Sequence, residues 1–211
     1  MNVLEEKYAA MNQGGVEKLR SGQFDLWQGL PANDAPNLIL AVHFKPSRAL
    51  DDVCQMLVVA ASDCGIELCL AGRDYPFHVT IQQGAPTDVS QSLSNLATPF
   101  ALALGATFVF DQVIVGPNIL FASSHIPSVV TDCRMDISNV MAVSGVVPAP
   151  ISILHATAAR ITKVSDASAL PDFVRLVSTL RELIQSRPFE LTVSHLSFGT
   201  VGELLQQPVA A

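Results

Sequence analysis

Two short segments carry the residue types of acid–base chemistry: Phe77-His78-Val79-Thr80-Ile81 and Leu154-His155-Ala156-Thr157-Ala158. Both run apolar, His, small apolar, Thr, apolar. Side chains alternate faces along a β-strand, so His78 and Thr80 share one face while Val79 takes the other. The same holds for His155 and Thr157 around Ala156. An imidazole titrates at about 6.5 when unperturbed, so two of them can hold opposite protonation states at neutral pH, one as base and one as acid. Two hydroxyls can donate to the non-bridging oxygens of a phosphate, where transition-state charge gathers. The set suits phosphodiester cleavage and asks for no metal or cofactor. A single His-x-Thr is a common tripeptide, and a strand histidine is more often a satisfied polar residue than a catalyst. The repetition carries the weight, because His43, His125 and His195 have no Thr two positions later.

Each motif needs a strand to hold it, and the flanking sequence supplies one. Asn37 to Phe44 is short and apolar with Pro46 beyond it, which reads as a buried strand. Ser47 is placed to N-cap a helix over Ala49 to Cys64, with Asp51 and Asp52 in its first turn and Gly65 as its stop. Strands are expected at Ile66 to Leu70 and Phe77 to Gln82. A helix interrupted by Pro99 is expected over Asp88 to Leu104. Thr107 to Val115 and Ile119 to Ser123 form a hairpin about Gly116-Pro117-Asn118. A helix over Ser128 to Ala142 and a strand over Ile151 to Ile161 follow. Leu170 to Gln185 is an amphipathic helix, and Phe189 to Phe198 is the last strand. Residues 1–36 read as a helical lead-in and loop before a single domain over 37–211. The order of elements indicates an α+β fold with antiparallel sheets.

Composition limits the partners. Of 211 residues 49% are hydrophobic and 15% charged, with a mean hydropathy of +0.38, so a sizeable core is expected. The worst case for a membrane span, the charge-free stretch Leu96 to Phe110, contains Pro99 and Gly105 and stops at Asp111, short of the ~20 apolar residues a membrane helix needs. A net charge of -7 and a pI near 5.0 argue against coating long nucleic acid, whose backbone demands many cations. A small anionic ligand needs only a local basic pocket. Cys54, Cys64, Cys69 and Cys133 lack Cys-x-x-Cys or zinc spacing and read as buried free thiols. Met1 to Lys7 is acidic, without the basic-then-apolar order of a signal peptide, which makes the cytoplasm the expected compartment.

The paired motifs resemble those of the two-histidine (2H) phosphoesterases, which include LigT-like RNA 2′,3′-cyclic phosphodiesterases. His155-Ala156-Thr157-Ala158-Ala159-Arg160-Ile161 looks like the family's second motif, which often continues into small residues and an arginine. The resemblance runs from about Leu38 to Phe198 in element order. It implies a bilobal fold: two antiparallel sheets line a central cleft, helices lie outside, and the motifs face each other. It also implies catalysis by His78, Thr80, His155 and Thr157, with His155 as base and His78 as acid in roles that pseudo-symmetry makes exchangeable. The chain departs from RNA-processing members where the first motif continues as Ile81-Gln82-Gln83-Gly84 and in its sparse basic residues.

Arg73 and Tyr75, just before the first motif, are candidates for substrate binding, one to pair with phosphate and one to stack on a base. Strict alternation from Thr157 points Arg160 away from the motif face. Trp27 is expected to anchor the N-terminal segment. Three functions fit: a metal-independent phosphodiesterase for a cyclic phosphate or short nucleotide-derived diester, a 2′-5′ or cyclic oligonucleotide phosphodiesterase, and a non-catalytic phospho-ligand binding module. The partner in each is a small nucleotide or RNA end, without a membrane, and the oligomeric state stays open.

Overall fold

A computed structural model describes residues 3–29, 38–84, 101–143 and 153–200. Its elements are α1 (Val3–Ser21), β1 (Leu38–Phe44), α2 (Arg48–Asp63), β2 (Ile66–Leu70), β3 (His78–Gly84), β4 (Thr107–Phe110), β5 (Gln112–Ile114) and β6 (Asn118–Ala122). They continue with α3 (Ser128–Val143), β7 (His155–Val164), α4 (Leu170–Ser186) and β8 (Phe189–Thr200). The helix expected over Asp88 to Leu104 lies almost wholly outside the described residues. No helix among those described is long and apolar enough to cross a membrane.

The strands form one antiparallel sheet ordered β4-β8-β1-β3-β7-β6-β5, with β2 also paired to β7. It is two half-sheets meeting at a narrow seam. β1 pairs with β3 from Leu38↔Gly84 to His43↔His78, and β6 with β7 from Asn118↔Arg160 to Ala122↔His155. By contrast β3 and β7 are in register at Val79↔Ala156 alone. The half-sheets do not follow the chain's halves. β2 crosses to pair with β7, while β4 and β8 return to the side of β1.

Sequence chemistry explains most boundaries. Ser47 precedes α2 in extended conformation, but its side chain makes no cap; its carbonyl instead accepts from Asp51 N–H at 3.1 Å. Gly65 ends α2 with φ at +63°, a region open mainly to glycine. The apolar run Thr107 to Val115 is not one strand. Asp111 turns its carboxylate to the backbone N–H of Ser124, at 2.8 Å, and to that serine's hydroxyl. The chain breaks there, so β4 joins β8 and β5 forms the hairpin with β6.

Behind the motif strands lies an aromatic core. Phe44, Phe77, Phe108, Phe110, Phe121 and Phe189 sit with ring centroids 5.3 to 6.3 Å apart, several of them edge to face. Each such pair adds about 0.5–1.5 kcal/mol beyond the area it buries. Val79 and Ala156, the residues between each motif's His and Thr, are fully buried in the same core. Apolar stripes of α2, α3 and α4 close over it.

The lead-in helix packs against the domain. Tyr8 is buried, and its hydroxyl donates to the Ser123 and Leu154 carbonyls, at 2.9 and 3.3 Å. Tyr8 and Met11 cover Ile114, Leu120 and Ala122. Leu120 and Ala122 stand opposite Thr157 and His155 in the ladder, so α1 covers the sheet face that carries the second motif. The approach is close at Gly15, where a Cβ would lie 2.1 Å from the Val115 carbonyl oxygen.

Candidate active site

The seam places the motifs. Val79 opposite Ala156 in an antiparallel pair sets His78 toward Thr157 and Thr80 toward His155, all four on the face away from the core. The two imidazoles are then borne by diagonal neighbours, ~7–8 Å apart at the backbone and somewhat less at Cβ. All four side chains are half-buried.

The imidazoles differ in support. His78 Nδ1 donates to the Pro76 carbonyl at 2.8 Å, which leaves Nε2 for the cleft. His155 Nδ1 is buried and finds no partner among the described residues. Burial lowers the pKa of both. The Arg160 charge adds to the lowering at His78, against the Pro76 hydrogen bond, and His78 adds to it at His155.

Arg160 comes to this face, contrary to strict alternation. β6 residues Leu120 and Ile119 pair with Thr157 and Ala159, so Ala158 is an extra residue on β7. Such a bulge reverses the parity beyond it. Thr157 and Arg160 therefore stand opposite Leu120 and Asn118, two positions on one face of β6. The guanidinium lies between two rings, 4.6 Å from the Tyr75 centroid and 5.3 Å from that of Trp27. Its buried Nη1 has no partner among the described residues. Trp27 is itself pinned, its backbone N–H donating to the Ile161 carbonyl at 2.9 Å.

Of the residues weighed for substrate binding, Arg73 is held by Asp74 at 2.8 Å and by the Leu68 carbonyl at 3.0 Å. Tyr75 is buried; its hydroxyl donates to the Thr157 carbonyl at 3.1 Å and its ring backs Arg160. Both side chains therefore brace the loop and Arg160.

Two histidines that lack the Thr spacing join the row. His43 stands opposite His78 on one side and His195 on the other. Its ring is 5.8 Å from that of His78 and stacks on His195 at 4.4 Å with a 5° tilt. Its Nε2 meets Ser197 Oγ at 2.5 Å. Burial, then the neighbouring imidazoles, brings the pKa of His43 down to about 4. One signal was present in the sequence: His195-Leu196-Ser197 is itself a His-x-Ser on a strand.

The fold is that of the 2H phosphoesterases. The chain is similar to the PDE domain of MHV ns2, with 14% identity, 79% of this chain and 99% of that one covered, and a TM-score of 0.50. Other solved structures match at a lower level. They include Kluyveromyces marxianus Usb1 (10% identity, 81% and 100% covered, TM-score 0.43) and a phosphoesterase (11% identity, 62% and 77% covered, TM-score 0.38). No family model and no curated protein matches the sequence.

Proposed function

We propose that the chain is a metal-independent phosphodiesterase, hydrolysing a cyclic phosphate or a short nucleotide-derived diester between His78 and His155. The observation that carries this reading is the gathering of two imidazoles, two hydroxyls and the Arg160 guanidinium on one face of the β3–β7 seam. In this reading His155, whose buried Nδ1 has nothing to support an imidazolium, works from the neutral form and takes a proton from water. The water oxygen attacks phosphorus and the bond to the leaving oxygen breaks. His78, its Nδ1–H held by a carbonyl that favours the protonated ring, gives its proton to that oxygen. Thr80, Thr157 and Arg160 hold the non-bridging oxygens as charge builds.

The test is a turnover screen of 2′,3′-cyclic nucleotides, 2′-5′ dinucleotides and cyclic dinucleotides, run with and without EDTA. Activity survives chelation, and His78→Ala or His155→Ala lowers kcat by about 10²–10⁴-fold, the usual contribution of one positioned acid or base. Folded variants that match wild type on the substrate found would refute the assignment. Phosphate binding without turnover would leave a binding module on the same fold.

A further inference from the structure

His155 is the first residue of β7, and its partner Ala122 is the last of β6, so the ladder that holds the second motif ends at the proposed base itself. The next residues outward, Ser123 and Leu154, belong to neither strand, yet both are buried. Their carbonyls share the Tyr8 hydroxyl, at 2.9 and 3.3 Å, one step past the last rung. His78 also opens its strand, but its ring is fixed locally by the Pro76 carbonyl. The His155 ring has no such brace, since its buried Nδ1 finds no partner among the described residues. Its direction therefore depends on the backbone that bears it, and Tyr8 ties that backbone across to β6.

The helix that carries Tyr8 is itself held in one register. Tyr8, Asn12, Gly15 and Leu19 follow at spacings of four, three and four, a single stripe of α1. Asn12 Oδ1 accepts from the Val115 N–H at 2.9 Å, Gly15 abuts the Val115 carbonyl, and Leu19 is fully buried. The Tyr8 ring packs on Ile114 and Ala122. A phenylalanine would fill that apolar site with no polar atom to satisfy. A buried hydroxyl is costly unless bonded, so it fixes which groups must meet it. We infer that Tyr8 is a positioning residue for His155: its hydroxyl ties the ends of β6 and β7 and so sets the imidazole toward the phosphate. The inference rests on the hydrolytic reading above and makes α1 part of the working centre. A general base must stand within about 3 Å of the proton it takes, and a ~1 Å misplacement costs about 10²-fold. Thr80 and Arg160 lie on β3 and farther along β7, so the loss of the tie falls on kcat and spares KM.

The experiment compares Tyr8→Phe and Tyr8→4-aminophenylalanine with wild type in the full chain. One readout is steady-state kinetics on the substrate found by the turnover screen. The other, which needs no substrate, is diethyl pyrocarbonate labelling of the five histidines, located by mass spectrometry. Tyr8→Phe keeps the ring and should lower kcat by about 10- to 100-fold with KM within about twofold. The aniline keeps an N–H for each carbonyl and should restore most of the rate. His155 should label at least about threefold faster in Tyr8→Phe, as an untied strand end opens, while His43 and His78 keep their wild-type rates. Wild-type turnover in Tyr8→Phe, a change in KM alone, or an aniline variant no better than Tyr8→Phe overturns the positioning role. Faster labelling of every histidine, or a Tyr8→Phe chain that does not fold, assigns the hydroxyl to stability and overturns it too. If wild type hydrolyses nothing, the hydrolytic reading falls and labelling alone decides the tie: selective exposure of His155 keeps it, and unchanged labelling refutes it.

Discussion

Acid should loosen this fold through His43 before most carboxylates titrate. The ring is 2% exposed and its pKa falls from 6.5 to about 4 on folding. Between those values the unfolded chain binds the proton and the native state does not, so stability rises with pH across that window and is lost on descending it. At pH 7 the native ring is neutral and only about a quarter of the unfolded imidazole is protonated, so the linkage costs just ~0.2 kcal/mol. Descending to pH 5 removes about 2 kcal/mol and to pH 4 about 3 kcal/mol, by the logarithm of the two binding polynomials. His43→Phe keeps a ring against His195 and has nothing to protonate. Urea unfolding of both proteins at several pH values between 7 and 4 gives the difference directly, with carboxylate titration common to both and cancelling. Wild type should lose about 2–3 kcal/mol more than the variant over that span. Parallel curves would mean that His43 carries no depressed pKa and that burial beside two imidazoles has been misjudged.

Adjacent glycines in α1 should respond in opposite directions. Gly15→Ala drives a methyl toward the Val115 carbonyl and should cost about 1–3 kcal/mol, while Gly14→Ala meets nothing within 4 Å and should gain about 0.5–1 kcal/mol in helix entropy. Chemical denaturation reads both, and equal signs would place α1 elsewhere. Thr80→Val and Thr157→Val keep shape while removing one donor each, so kcat for the substrate identified should fall ~10- to 10³-fold with little change in melting temperature. Arg160→Lys removes a planar cation from between two rings. It should weaken phosphate binding and change the emission of Trp27, the single tryptophan, so unchanged fluorescence would contradict the stacked geometry.

Local signals served the elements well and the pairings poorly. The β3 and β7 strands were legible because apolar alternation around His78 and His155 is local, and α4 because Phe173, Val177, Leu180 and Ile184 repeat at helical spacing. The break at Asp111 was not legible, since its cause is a hydrogen bond to Ser124 across the hairpin. Likewise nothing near His43 marks it, and His195 carries only the weak His-x-Ser signal of His195-Leu196-Ser197. They reach His78 only because β1 lies between β8 and β3, and that order is a property of the whole sheet.

Arg160 shows how far one residue of register can move a site. Counting by twos from Thr157 sends it to the core face, among Ala156 and Val79, where an unpaired guanidinium would cost several kcal/mol. The extra residue at Ala158 resolves that conflict by turning Arg160 outward and Ile161 inward. Ala158 and Ala159 are both fully buried, and small side chains let two consecutive residues face the core at the bulge. The run Ala158-Ala159-Arg160-Ile161 is therefore physically coherent: two small residues absorb the slip, a cation reaches the motif face, and a large apolar side chain restores the core behind it. A charge arriving after two consecutive alanines on a strand is thus better read as an indicator of a bulge than as a charge directed at the core.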